Sequence, residues 1–151
     1  MSTNVVTVLN DLVETSKDGE KGFRKAAEEA HDAQLKTLFQ GCAEDCMRGA
    51  RELQDAVQHL GGKPESGGSI SGALHRGWAD VKAAVTGRSD HDILAECEKG
   101  EDVAKKHYRE ALEKDLPSDV RTLVDRQFQG VLQQHDRIRD LRDQYAAAGR
   151  R

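Results

Sequence analysis

Three ionisable side chains lie where the helical pattern would be expected to place leucine or alanine. Glu20 and Glu101 each fall near the middle of a helical stretch, on its apolar side, and His135 does so in the last stretch. Burying a carboxylate is unfavourable by several kcal/mol unless it is paired, protonated or bound to a cation. Carboxylate and imidazole groups suit iron or manganese. We therefore take these three residues as candidate metal ligands.

The set of ligands is incomplete for a di-iron centre. Such centres in helix bundles use a glutamate from each of two helices and a Glu-x-x-His motif from each of the other two. The residue three before His135 is Leu132, and the equivalent positions of the second helix are Met47 and Ala50. Three interpretations stay open: a buried polar cluster whose members hydrogen-bond one another or Tyr108, a site for one iron or manganese ion, or side chains that face outward.

The three cysteines predict core packing rather than chemistry. Cys42 and Cys46 are one helical turn apart on one face, and Cys97 lies in the third long stretch. No second Cys/His pair completes a tetrahedral zinc site, and an odd number of cysteines disfavours a disulfide framework. No nucleophile is visibly paired with a base, so the sequence favours a non-catalytic protein.

Apolar residues recur at three-four spacing in four long stretches, which predicts four amphipathic helices. A shorter stretch of the same kind surrounds Trp78. The helix boundaries are predicted by capping residues and by glycines at the helix end. These residues are Thr3 or Asn4, Asp32, Ser89, and Gly61 with Gly62.

The lengths of the connections predict the architecture. Helices one and two are joined by a few residues, as are helices three and four, whereas about thirty residues separate the two pairs. Two short loops and one long crossover are typical of the ferritin-like connectivity. We therefore predict an all-α, ferritin-like four-helix bundle with a short helix in its crossover. It forms a single domain over residues 1–151, with a core of roughly 4–145. The two halves also resemble a duplicated hairpin, in which an offset of 81 superposes Glu20 on Glu101.

Composition excludes several classes of protein. The net charge is −4, with acidic and basic residues interspersed, which argues against binding to a nucleic-acid backbone. No apolar run is long enough for a membrane span, and the start lacks the pattern of a signal peptide. We expect a cytoplasmic protein without membrane contacts. Two roles stay open for Trp78, on a small amphipathic helix: it closes the end of the bundle, or it is a contact for a homo-oligomer such as a dimer. Any other protein partner is unidentified.

Three segments carry a resemblance to a known family. They are residues 9–20 (LNDLVETSKDGE), 72–78 (GALHRGW) and 94–102 (LAECEKGED). The chain resembles a family of bacterial ferritin-like four-helix-bundle proteins of unknown function. The family is known mainly from proteobacteria and is often discussed near general stress-response proteins. The resemblance covers residues 4 to 145 and implies a ferritin-like bundle with no established activity.

The resemblance also bears on the candidate ligands. Glu101 and Tyr108 match the glutamate-x6-tyrosine pattern of ferritin helices, whereas Glu20 is followed at that spacing by Ala27. With the departures at Met47, Ala50 and Leu132, the favoured function is a stress-associated structural or interaction protein. The alternative is a degenerate iron or manganese site that serves an oxidase or a metal store.

Overall fold

The computed structural model describes residues 4–65 and 89–149 of the chain, and this part is built of helices. They are α1 (Val5–Glu29), α2 (Ala33–His59), α3 (Asp90–Leu112) and α4 (Ser118–Gly149). The all-α prediction is confirmed for this part of the chain. The short helix predicted around Trp78 lies outside the described residues.

The helices begin where the sequence predicts them. The first three each start at a side chain that accepts a backbone N–H two or three residues further on, at 2.8 to 3.2 Å: Asn4, Asp32 and Ser89. Such caps satisfy N–H groups that have no partner within the helix. Helix α4 begins directly after Pro117, whose carbonyl accepts the Arg121 N–H at 2.8 Å.

The two hairpins pack side by side. Helix α1 is antiparallel to α2 and α3 to α4, while the contacts between the hairpins join α1 to α3 and α2 to α4. Thr15 of α1 approaches His107 of α3, and Tyr145 of α4 donates to Asp32 at the start of α2. All neighbouring helices of the described part are thus antiparallel, so the end of α2 and the start of α3 lie at opposite ends of the bundle, about 40 Å apart for a helix the length of α2. This confirms the ferritin-like connectivity.

The hydrophobic core consists of two clusters with a polar layer between them. One cluster surrounds Phe23 and Phe39, near the turn between α1 and α2, and the other surrounds Leu12 and Leu53, near the opposite end. The middle of the bundle instead contains buried polar residues, among them Ser16, Asp18, Glu101 and His135. This layer is therefore the part of the described core that can offer a ligand charges and hydrogen bonds.

The bundle is least tightly closed between α2 and α4. These two helices make the weakest contact among the neighbouring pairs. Two cavities of about 450 and 550 Å³ lie along this seam, and Asp45, Gly130 and Gln134 line both of them. In residues 4–65 and 89–149, this seam therefore offers solvent or a ligand an approach to the polar layer.

Replacing Gly62 by alanine tests the end of α2. A Cβ at this position would lie 2.7 and 2.8 Å from the two methyl groups of Val6 and 3.1 Å from Val57. We expect Gly62→Ala to lower the free energy of unfolding by about 1–3 kcal/mol because these groups must shift. The control Gly41→Ala meets nothing within 4 Å in a helix interior, and should raise it by about 0.5–1 kcal/mol. Urea denaturation measures both, and equal effects would contradict the packing described.

Candidate functional site

A cavity of about 450 Å³ opens between α2 and α4 and reaches α1 and α3. Its innermost polar groups are Glu101 and Tyr108 of α3 and Gln127 of α4, and Cys46 of α2 lies beside them in the lining. Phe23 and Val131 contribute apolar surface. A concave space with apolar walls and a few polar groups is the usual form of a small-molecule site.

The carboxyl of Glu101 has no hydrogen-bond partner on one oxygen. The residue is 3% exposed, and its Oε1 is buried without a partner among the described residues. Burial, with a smaller contribution from the charge of Asp102, raises the pKa of this carboxyl well above 4.5, although Lys105 opposes the shift. Burial without a bound cation therefore favours the protonated form of Glu101.

A chain of hydrogen bonds crosses the bundle beside this carboxyl. The Tyr108 hydroxyl donates to Gln127 Oε1 at 2.8 Å, and it lies 3.4 Å from the hydroxyl of Ser16. Gln127 Nε2 donates to Glu52 at 2.9 Å and to the Gly49 carbonyl at 3.2 Å. One polar chain therefore joins all four helices in the polar layer.

The pKa shifts of Tyr108 and Glu52 determine whether the two ends of this hydrogen-bond chain carry protons. Burial raises the pKa of the Tyr108 hydroxyl, so the group remains a donor. Burial also opposes ionisation of Glu52, but hydrogen bonds from Gln127 and Arg126 outweigh it and lower the pKa of Glu52. The hydrogen-bond chain thus runs from the neutral phenol of Tyr108 in the interior to the carboxylate of Glu52 at the mouth of the cavity.

The cysteines pack in the core as predicted. Cys42 and Cys97 are buried in the cluster around Phe39, and Cys46 packs against it. Burial, followed by the charge of Glu101, raises the pKa of both Cys42 and Cys46. These thiols stay protonated at neutral pH, where a thiolate would be needed for nucleophilic or metal-binding chemistry.

Glu20 lies beside the cavity rather than in it. The preceding residue of α1, Gly19, lines the cavity. The Glu20 carboxylate instead pairs with Arg24 at 3.0 Å and approaches Lys17 at 3.9 Å. Its side chain is 17% exposed. Glu20 thus has partners on its own helix, unlike the Oε1 of Glu101.

His135 belongs to a separate ionic cluster between α3 and α4. Its Nε2 lies 2.7 Å from Asp102 and 3.5 Å from Glu98, and its Nδ1 lies 3.4 Å from Asp136. Glu98 is also paired with Arg142. The neighbouring residue on α4, Gln134, lines the cavity with Glu101.

The structure therefore does not bring the three predicted ligands together. No hydrogen bond or ion pair joins any two of Glu20, Glu101 and His135. In residues 4–65 and 89–149, no three His, Cys, Asp or Glu side chains are grouped so that they could hold a metal ion. The residues as placed do not fit a metal centre, and iron or manganese binding stays a prediction that elemental analysis of the protein would test.

Neither Gln127 nor the partners of His135 were predicted from the sequence. Gln127 is a polar residue at an apolar-face position of α4. The same pattern on α3 singled out Glu101. Glu98 and Asp102 are one turn apart on α3, so they share a face that a histidine on α4 can reach.

Comparisons with known proteins agree with this fold. A family model described as "Domain of unknown function (DUF2383)" matches residues 4–114. A search of curated proteins found no match. In the described residues, none of the helices combines the length and apolar character that crossing a membrane requires.

A solved structure from Anabaena variabilis ATCC 29413 is similar over most of the chain. It is described as a two-domain protein containing DJ-1/ThiJ/PfpI-like and ferritin-like domains. The TM-score is 0.77 at 19% sequence identity, and the match covers 94% of this chain and 40% of that chain. At this identity the likeness shows the fold alone, which is ferritin-like.

Proposed function

Because the chain belongs to the family described as Domain of unknown function (DUF2383), whose description names no activity, we propose a function from the site itself. The protein is a non-catalytic binding protein, and its cavity between α2 and α4 holds a cationic ligand against the carboxylate of Glu101. The observation that carries this proposal is the buried Oε1 of Glu101, which has no partner among the described residues.

A cation at Glu101 would resolve an unfavourable burial. An acid without a partner in the bundle core destabilises the fold, whereas a leucine at the same position would stabilise it. A ligand that brings a positive charge allows the carboxyl to ionise and stabilises the folded state by mass action. The cavity, about 450 Å³, also lies within the usual range for small-molecule sites, about 300–1,000 Å³.

The other polar groups of the cavity support binding rather than catalysis. The thiol of Cys46 and the phenol of Tyr108 both have pKa values raised by burial. Groups that keep their protons take part in hydrogen bonds and are poor nucleophiles. Gln127 is held in one orientation by three hydrogen bonds.

Metal binding is the alternative that the sequence raises. Its support is that Glu101 and Glu20 both lie close enough to Cys46 to raise the pKa of that thiol, so two carboxylates share one region of the bundle. Its weakness is that Glu20 is already paired with Arg24. The proposed ions remain iron or manganese.

Two further predictions go beyond the site. The stress association and the homodimer rest on the family resemblance and on Trp78, which lies outside the described residues. Both stay predictions, and light scattering of the purified protein would test the dimer.

Hexylamine is the probe that tests cation binding. We expect it to raise the melting temperature of the wild-type protein and, at the pH values where burial keeps Glu101 protonated, to release a proton on binding, since Glu101 must ionise. Glu101→Gln should abolish both effects, while the control Glu20→Gln should keep them. Calorimetry in two buffers of different ionisation enthalpy measures the proton.

The same titration distinguishes the alternative. If ferrous or manganous ion raises the melting temperature only when Glu101 is present, the result favours the metal site. If hexylamine also has no effect, the two results together count against the amine site. An equal response to hexylamine in wild type and Glu101→Gln would refute the proposed function.

A further inference from the structure

The cavity has a second uncompensated charge, at its mouth. We infer that the ligand is a linear zwitterion, whose ammonium group pairs with Glu101 while its carboxylate pairs with Arg51. This inference rests on the proposed function and specifies the chemical class of the ligand.

Among the residues that the structure describes, three arginines line the cavity, and two of them are neutralised locally. Arg48 is paired with Asp45 on α2, and Arg126 of α4 is paired with Glu52 at 2.8 Å. Both of these carboxylates also line the cavity. The third arginine is Arg51, which is exposed.

Arg51 has no carboxylate partner in the described parts of the chain. Its guanidinium makes one polar contact there, a weak one of 3.7 Å to the thioether sulfur of Met47. A guanidinium is always charged at neutral pH and presents paired donors that match a carboxylate. An anionic group of the ligand can therefore bind there without breaking an existing ion pair.

The charges of the lining define what fits. Once Glu101 is ionised, it and Arg51 are opposite charges without partners in a lining whose other charges are paired. A zwitterion compensates both without adding net charge, whereas a simple amine leaves Arg51 unpaired. The lining also contains apolar surface from Phe23, Val131 and Ala104, which suits a chain of methylene groups. The ligand class is therefore an amino acid with its amine and carboxylate at opposite ends of an alkyl chain.

The test compares ligands that differ only in the carboxylate. Isothermal titration at pH 8 is carried out with 4-aminobutanoate, 6-aminohexanoate and 8-aminooctanoate, and with alkylamines and alkanoates of matching length. We expect the best of the three amino acids to bind about fivefold more tightly than its amine, which is the effect of one ion pair near the surface. The alkanoates should bind more weakly than either.

Arg51→Gln should abolish this gain and leave the affinity for the amine unchanged. Arg51→Lys should restore part of it. The control Arg139→Gln makes the same change of charge on α4, at a residue paired with Asp136 and Asp140, and should keep the full gain.

The outcomes separate the inference from the function on which it rests. If amines bind through Glu101 but the carboxylate adds nothing, or if Arg51→Gln keeps the gain, the zwitterion is wrong and the cation site stands. If neither amines nor amino acids bind, both are wrong.

Discussion

Replacing Glu101 by glutamine is expected to stabilise the ligand-free protein by an amount that grows as the pH rises. The folded state holds this carboxyl protonated, because burial raises its pKa well above 4.5, while the unfolded chain releases the proton near that value. The wild-type protein therefore loses about 1.4 kcal/mol of stability per pH unit above 4.5 for as long as the folded carboxyl keeps its proton. Between pH 5 and 8 the difference between the two proteins should therefore widen, and it should level off at the pH where the folded carboxyl ionises.

Urea denaturation across this pH range measures the effect. Burying an amide in place of the carboxyl changes the stability of the variant by the same amount at every pH. The quantity to compare is therefore how the difference in unfolding free energy between the two proteins changes with pH. Glu20→Gln is the matched control, because its carboxylate has Arg24 as a partner, and its curve should stay within about 0.5 kcal/mol of the wild type. Parallel curves for wild type and Glu101→Gln would show that the folded carboxyl is ionised.

Removing Gln127 is expected to have the second large effect. Gln127→Ala deletes three hydrogen bonds and leaves the buried Tyr108 hydroxyl without its acceptor at 2.8 Å. We expect the free energy of unfolding to fall by about 2–3 kcal/mol, because the buried hydroxyl keeps only its longer contact of 3.4 Å to Ser16 and bears most of its desolvation cost.

A double-mutant cycle isolates the bond itself. Tyr108→Phe alone should destabilise by about 1–2 kcal/mol, and adding it to Gln127→Ala should have a much smaller effect, because the hydroxyl has already lost its acceptor. Thermal or urea unfolding measures the four proteins. Additive effects would mean that Tyr108 and Gln127 are not coupled.

The architecture was predictable because its signals are local or depend on loop length. Asn4, Asp32 and Ser89 are capping residues that satisfy N–H groups within three residues, so their role does not depend on distant packing. Gly61 has a φ of +79°, a conformation that glycine adopts without strain, and it ends α2 as predicted. The short, long and short connections then leave little choice of topology.

The candidate site was predictable only in part, because successive residues on a helix point about 100° apart. Glu101 does lie in the core, but the cavity takes Gly19 rather than Glu20 from α1 and Gln134 rather than His135 from α4. The pseudo-symmetry that superposes Glu20 on Glu101 does not extend to their surroundings. Arg24 pairs with Glu20, whereas Lys105, one turn after Glu101, makes no ion pair with it.

The interactions of His135 could not be predicted from spacing within one helix. Glu98 and Asp102 reach it from α3, and Arg142 holds Glu98 from the next turn but one of α4. Pairing across helices depends on how far one helix is shifted along the other, and the apolar pattern leaves this shift undefined by several residues.

The contact between the start of α3 and the turn of the first hairpin has a consequence for cooperativity. The Asp90 carboxylate accepts the N–H groups of His31 at 2.7 Å and of Asp32 at 3.0 Å, so one hairpin supplies the acceptors for the other. An isolated α1–α2 hairpin would have to leave these groups to water, and would also expose the apolar face that α3 covers. Each hairpin is consequently incomplete alone, which disfavours a half-folded intermediate and promotes unfolding of the bundle in a single two-state transition.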